Sequence, residues 1–84
     1  MILSNRDIHL LSQLGEASGA IVADMWLPEH LFGKNRRSAS IKATNDLKAL
    51  AHVGLVKRLD DQKPIAWLRT QGGTDCLNKV RKTL

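Results

Sequence analysis

With Cys76 as its one cysteine, the chain has no internal disulfide, which fits a reducing compartment. No apolar run approaches the ~18 residues of a membrane-spanning helix. Met1 is not followed by a basic and then apolar leader. A cytoplasmic location and no membrane partner are therefore expected. His9, His30 and His52 lie 20 or more positions apart, and no His or Cys pair has the spacing of metal ligands. Gly72 and Gly73 are a lone pair ahead of a helix, not a phosphate-cradling loop, and the acids form no recognisable dyad. Neither catalytic residues nor a metal or cofactor are expected, and no repeat or low-complexity linker is visible.

What is present is an ordinary globular mixture, 43% apolar and 25% charged over 84 residues. That length supports a single domain, 1–84, with one core, which excludes a two-domain enzyme. The net charge of +5 is unevenly placed. Residues 1–33 hold Arg6 against Asp7, Glu16, Asp24 and Glu29, a net of −3, while residues 34–84 hold twelve cations against four aspartates, a net of +8. A basic stretch of this kind is either a solvated surface or a face for a polyanion such as nucleic acid.

Ser4 to Asp7 has the Ser-x-x-acid form of a helix start, and Ile8, Leu10, Leu11 and Leu14 follow at helical spacing, so a first helix is expected over 5–14. Ser18 can cap a second helix through Ala20 to Trp26, ended by Pro28, with Ile21, Val22, Met25 and Trp26 supplying core. Pro28 is suited to open one extra helical turn that packs Leu31 and Phe32. Gly33, Lys34 and Asn35 read as loop, and Ser38, just after Arg36 and Arg37, is the expected cap of a third helix over about 38–52.

That third helix carries Ala43, Leu47, Leu50 and Ala51 in one stripe. Gly54 supplies its exit. Leu55 to Leu59 and Pro64 to Leu68 then read as two short strands around a polar turn, making a hairpin over 55–68. Thr70 or Thr74 can cap a last helix with Cys76, Leu77, Val80 and Leu84 on one side, serving as the lid of the core or as a dimer contact.

A leucine-striped helix leading through Gly54, Leu55, Val56, Lys57 and Arg58 into a hairpin that closes with Trp67 to Thr70 and Gly73 resembles the winged helix-turn-helix domains of bacterial regulators. The resemblance is to the multiple-antibiotic-resistance-regulator and penicillinase-repressor families, and it runs from Leu47 to Gly73. It implies a mainly α fold with a small β-hairpin: a three-helix core, a two-stranded wing and a C-terminal helix. It also implies a transcriptional regulator that binds double-stranded DNA, with pairing through the terminal helix by Leu77, Val80 and Leu84.

With Ala43, Leu47 and Leu50 inward, the outward face of the third helix bears Ile41, Asn45 and Lys48, with Lys42 flanking. In a helix-turn-helix the amino-terminal part of this helix enters the major groove, here Ser40, Ile41, Lys42, Thr44 and Asn45. Asn45 can pair with adenine, Lys42 can reach guanine, and Ile41 can touch a thymine methyl or else be buried under Leu31 and Phe32. Arg36, Arg37, Lys48 and Lys63 are the expected phosphate contacts, and the helix terminus at Ser38 and Ala39 favours an anion. Of Lys57 and Arg58 only one can face DNA, and Asp60 and Asp61 oppose deep insertion of the wing. Two other readings stand beside this one: a protein-interaction adaptor or inhibitor from a mobile element, and a replication or recombination accessory that binds DNA.

Overall fold

The structure is a computed structural model that describes residues 2–61 and 63–82. It holds four α-helices and a three-stranded antiparallel sheet, a mixed arrangement in which helix predominates. Helix α1 spans Asn5–Gln13 and opens with the expected reciprocal cap: Asp7 N–H donates to the Ser4 hydroxyl at 3.2 Å, and Ser4 N–H donates to the Asp7 carboxylate at 3.1 Å. Its apolar side buries Leu10 and Leu11.

The second helix expected over Ser18 to Trp26 does not form. Ala20–Ile21 is instead a short strand, β1, followed by a 3-10 turn at Val22–Asp24. The cause is long-range. Strand β3, Ala66–Arg69, takes β1 as a neighbour, with Ala20 opposite Trp67 and Ile21 opposite Ala66. β-Branched Ile21 suits either state, and the sheet partner decides between them. Of the four residues assigned to the core, Met25 is buried and Ile21 and Val22 are half-buried. Trp26 is 69% exposed and is not a core residue.

Pro28 caps the single turn of α2, Glu29–Phe32, which ends at Gly33 with a φ of +91°. Phe32 is fully buried by this turn and Leu31 half-buried. Helix α3 spans Arg36–His52 and starts two residues before the expected 38. Asn35, not Ser38, is its cap, accepting the Ser38 N–H at 3.0 Å. Arg36 and Arg37 therefore lie in its first turn. Its buried residues are Ala39, Ala43, Leu47 and Leu50, spaced at four, four and three, a single seam against the other elements. Burying a leucine fully contributes about 1.5–3 kcal/mol, so this seam and the α1 leucines are the main source of cohesion.

Gly54, with a φ of +81°, turns the chain out of α3 into β2, Val56–Leu59. Strands β2 and β3 pair antiparallel with Arg58 opposite Trp67 and Val56 opposite Arg69. The hairpin thus exists as expected, but it belongs to a sheet of order β1-β3-β2, not to an isolated two-stranded unit. Helix α4, Gln71–Lys82, begins at Thr70, whose hydroxyl accepts the Gly73 N–H at 3.1 Å and donates to the Gly54 carbonyl at 2.7 Å. Arg69 ties three elements together, donating to the Thr74 hydroxyl and to the Leu11 carbonyl, each at 2.9 Å. Among the described residues no helix is long and apolar enough to cross a membrane.

Candidate nucleic-acid interface

The burial seam of α3 dictates its opposite face. With Ala39, Ala43, Leu47 and Leu50 inward, helical geometry turns Ile41, Asn45 and Lys48 outward. Arg37, Ser40, Ile41, Thr44, Asn45 and Lys48 line one open concavity of about 590 Å³. Ile41 is 55% exposed, so Leu31 and Phe32 do not cover it. Thr44 spends its hydroxyl proton on the Ser40 carbonyl at 2.9 Å, which leaves the oxygen as an acceptor and the methyl as an apolar contact.

Other residues expected at this face are placed elsewhere. The Arg36 guanidinium donates to the carbonyls of Val22, Ala23 and Met25 at 2.9–3.3 Å. It holds the 3-10 turn onto α3, and its position does not suit a phosphate clamp. The anion site expected at the amides of Ser38 and Ala39 is filled by the chain itself, because both N–H groups are taken by Asn35, through its side chain and its carbonyl. Lys42 lies off the concavity, its Nζ 3.8 Å from where a Cβ on Gly33 would stand. Lys63 is exposed at the hairpin turn, where the sequence puts it, and lines neither this concavity nor the one beside it. In α4, Leu77 is buried in the chain's own core at 1% exposure, which removes it from any pairing surface. Val80 is half-buried and lines a concavity of about 320 Å³ with Ile2, Leu3, Cys76 and Lys79. Leu84 lies outside the described residues.

The face also includes what the linear reading missed. A second concavity, about 290 Å³, shares Thr44 and Lys48 with the first and continues to Arg58, Ile65 and Trp67 of the hairpin and Ile21 to Ala23 of the β1 segment. Cross-strand partners share a face, so Arg58 opposite Trp67 turns toward α3, and Lys57 lies on the other side. Strand register is the signal that resolves this pair, and it becomes readable only once Trp67 is matched to Arg58.

Behind the face, Asp46 anchors α3 to α1. Arg6 Nε lies 3.2 Å from Asp46 Oδ2, near enough for attraction, but the N–H is not aligned for a hydrogen bond, so this buried oxygen lacks a hydrogen-bond partner. Burial pushes the Asp46 carboxyl above its ordinary pKa; Arg6 pulls it back and Asp7 adds to the rise. Among the described residues no group of three or more His, Cys, Asp or Glu side chains converges as a metal site would require. No protein-family model, curated protein or solved structure matches the chain.

Proposed function

We propose that the chain is a winged helix-turn-helix domain that binds double-stranded DNA, with α3 as the reading helix in the major groove, and that it regulates transcription in the cytoplasm. The observation that carries this reading is the single concave face of α3, where Arg37 and Lys48 flank Ser40, Ile41, Thr44 and Asn45. Those types divide into two tasks. Arg37 and Lys48 supply phosphate contacts that set affinity, and Asn45, Ser40 and Ile41 supply base-edge hydrogen bonds and apolar contact that set selectivity. The order α1, β1, α2, α3, β2, β3, α4, with a central β3, supports the winged arrangement, the hairpin standing beside the reading helix as a wing. The excess of +8 over residues 34–84 gives the field that attracts a polyanion.

A titration with duplex DNA at two salt concentrations, combined with selection from random sequence, tests the reading. Steep salt dependence with an enriched two-fold motif supports a paired sequence reader. Salt dependence without a motif supports a replication or recombination accessory. Absence of binding at low salt overturns the reading and leaves the adaptor or inhibitor role. Trp26 favours that role: the residue is 69% exposed, although its backbone is pinned by His9 and Gln13 at 2.7–3.0 Å, the kind of rigid aromatic anchor that protein partners use.

A further inference from the structure

The concavity at the junction of α3 and the hairpin holds a pairing that the reading of α3 does not use. Its lining is mostly apolar, with Val22, Ile65 and Trp67 among it, and two exposed cationic side chains enter it, Lys48 from α3 and Arg58 from β2. Lys48 has no hydrogen bond or ion pair among the described residues. Arg58 is engaged: its Nε pairs with the carboxylate of Asp60, two residues on at the start of the hairpin turn. A carboxylate and a phosphate present the same acceptor geometry to a guanidinium, so Asp60 occupies the donors that a phosphate would take.

We infer that Lys48 and Arg58 together form a phosphate site for one phosphodiester of duplex DNA, and that Asp60 is its internal stand-in, holding Arg58 until the backbone displaces it. The inference rests on the duplex-binding reading and adds a regulating residue to it. Lysine brings a compact charge and arginine a planar fork, a combination suited to one phosphate approached from two elements. The pair costs binding without adding much to folding. Arg58 and Asp60 side chains are 44% and 70% exposed, and exposed pairs stabilise little, so Asp60 can be replaced with the hairpin intact. It also turns the acidic turn, which opposes deep insertion of the hairpin, into a device that sets how tightly the wing holds.

The test compares Asp60→Asn with Asp61→Asn, which makes the same change in net charge at a neighbour that has no ion pair with Arg58. Each is measured alone and with Arg58→Ala, by duplex titration across salt. Asp60→Asn is expected to tighten binding roughly three- to fivefold, the scale of an exposed ion pair, and Asp61→Asn less. The difference should vanish once Arg58 is alanine. Arg58→Ala and Lys48→Ala should each flatten the dependence of log K on log salt by about 0.9. Equal gains from the two aspartate variants, or a difference that survives Arg58→Ala, overturns the stand-in role. Slopes unchanged by Arg58→Ala and Lys48→Ala overturn the phosphate site. If the wild-type chain binds no duplex, the broader reading falls, and titration with inorganic pyrophosphate decides the site by itself. A shift of the Arg58 Nε–H resonance that Lys48→Ala abolishes retains it for a free phosphate ligand, and no shift removes it.

Discussion

Arg36 donates to the carbonyl of Ala23 at 2.9 Å, and the same guanidinium reaches the carbonyls of Val22 and Met25. One side chain of α3 thereby bonds three backbone acceptors of the 3-10 turn and its exit, of which the Val22 carbonyl also accepts the Met25 N–H at 3.1 Å. Adjacent Arg37 instead lines the outward concavity. The two arginines are expected to separate on substitution. Arg36→Ala should lower unfolding stability by about 1 to 2 kcal/mol, as hydrogen bonds from a charged donor are lost, while the salt slope of duplex binding stays the same. Arg37→Ala should leave the melting curve in place and flatten the slope by about 0.9. Denaturant melts and salt titrations of both variants check this, and the reverse assignment would put Arg36 on the DNA.

Asn45 carries the sequence preference if α3 reads bases. Its side chain has no hydrogen bond within the chain among the described residues, so both its donor and its acceptor are available for a paired contact to adenine. Asn45→Ala should reduce discrimination at one base position by roughly 1 to 3 kcal/mol and leave binding to unrelated duplex nearly unchanged. Comparison of the selected site with a scrambled one measures it. Equal weakening on both sequences would assign Asn45 to positioning.

The raised pKa of Asp46 has a defined consequence for pH. Since burial favours the neutral carboxyl, the folded chain binds more protons than the unfolded chain over the window from the ordinary value of 3.8 up to the folded pKa. Stability from this group is therefore highest below 3.8 and declines as pH rises to the folded pKa, above which the loss is complete. In Asp46→Asn that decline is absent. Subtracting the variant's unfolding free energy from the wild-type value should give a difference that falls with pH over this window. A difference that rises would mean that the Arg6 attraction outweighs burial.

Much of this architecture was legible in the chain because its determinants are local. Ser4 and Asp7 announced α1, the period of Ala43, Leu47 and Leu50 gave the inward side of α3 and so its outward face, and Pro28 with Phe32 gave the extra turn. The misreadings share a cause, which is that the deciding partner is remote. Ile21 became a strand residue because of Ala66, and the choice left open between Lys57 and Arg58 is made by Trp67, which turns Arg58 toward α3. Leu77 shows the same limit in packing, since the stripe of α4 fits a core and a pairing surface equally well until its burial is known. Asn35 and Ser38 are both good caps, and only the path of the preceding loop chose between them.

Gly73 gives a prediction whose sign separates local from tertiary control. Both Gly72 and Gly73 lie in the first turn of α4, and replacing a helical glycine by alanine ordinarily adds up to ~1 kcal/mol of stability. At Gly72 a Cβ would have no neighbour nearer than 3.5 Å, so Gly72→Ala should follow that rule. At Gly73 a Cβ would collide with the Leu55 carbonyl oxygen and come within 2.9 Å of Arg69 Cγ. The Leu55 carbonyl cannot move freely, since it accepts the Thr70 N–H at 3.1 Å where α4 leaves the sheet. Gly73→Ala should thus destabilise by about 1 to 3 kcal/mol, the scale of overpacking, despite the better helix former. Paired denaturant melts decide the matter: a gain at both positions would mean that α4 can shift away from Leu55, and opposite signs would show that this close approach fixes the helix on the sheet.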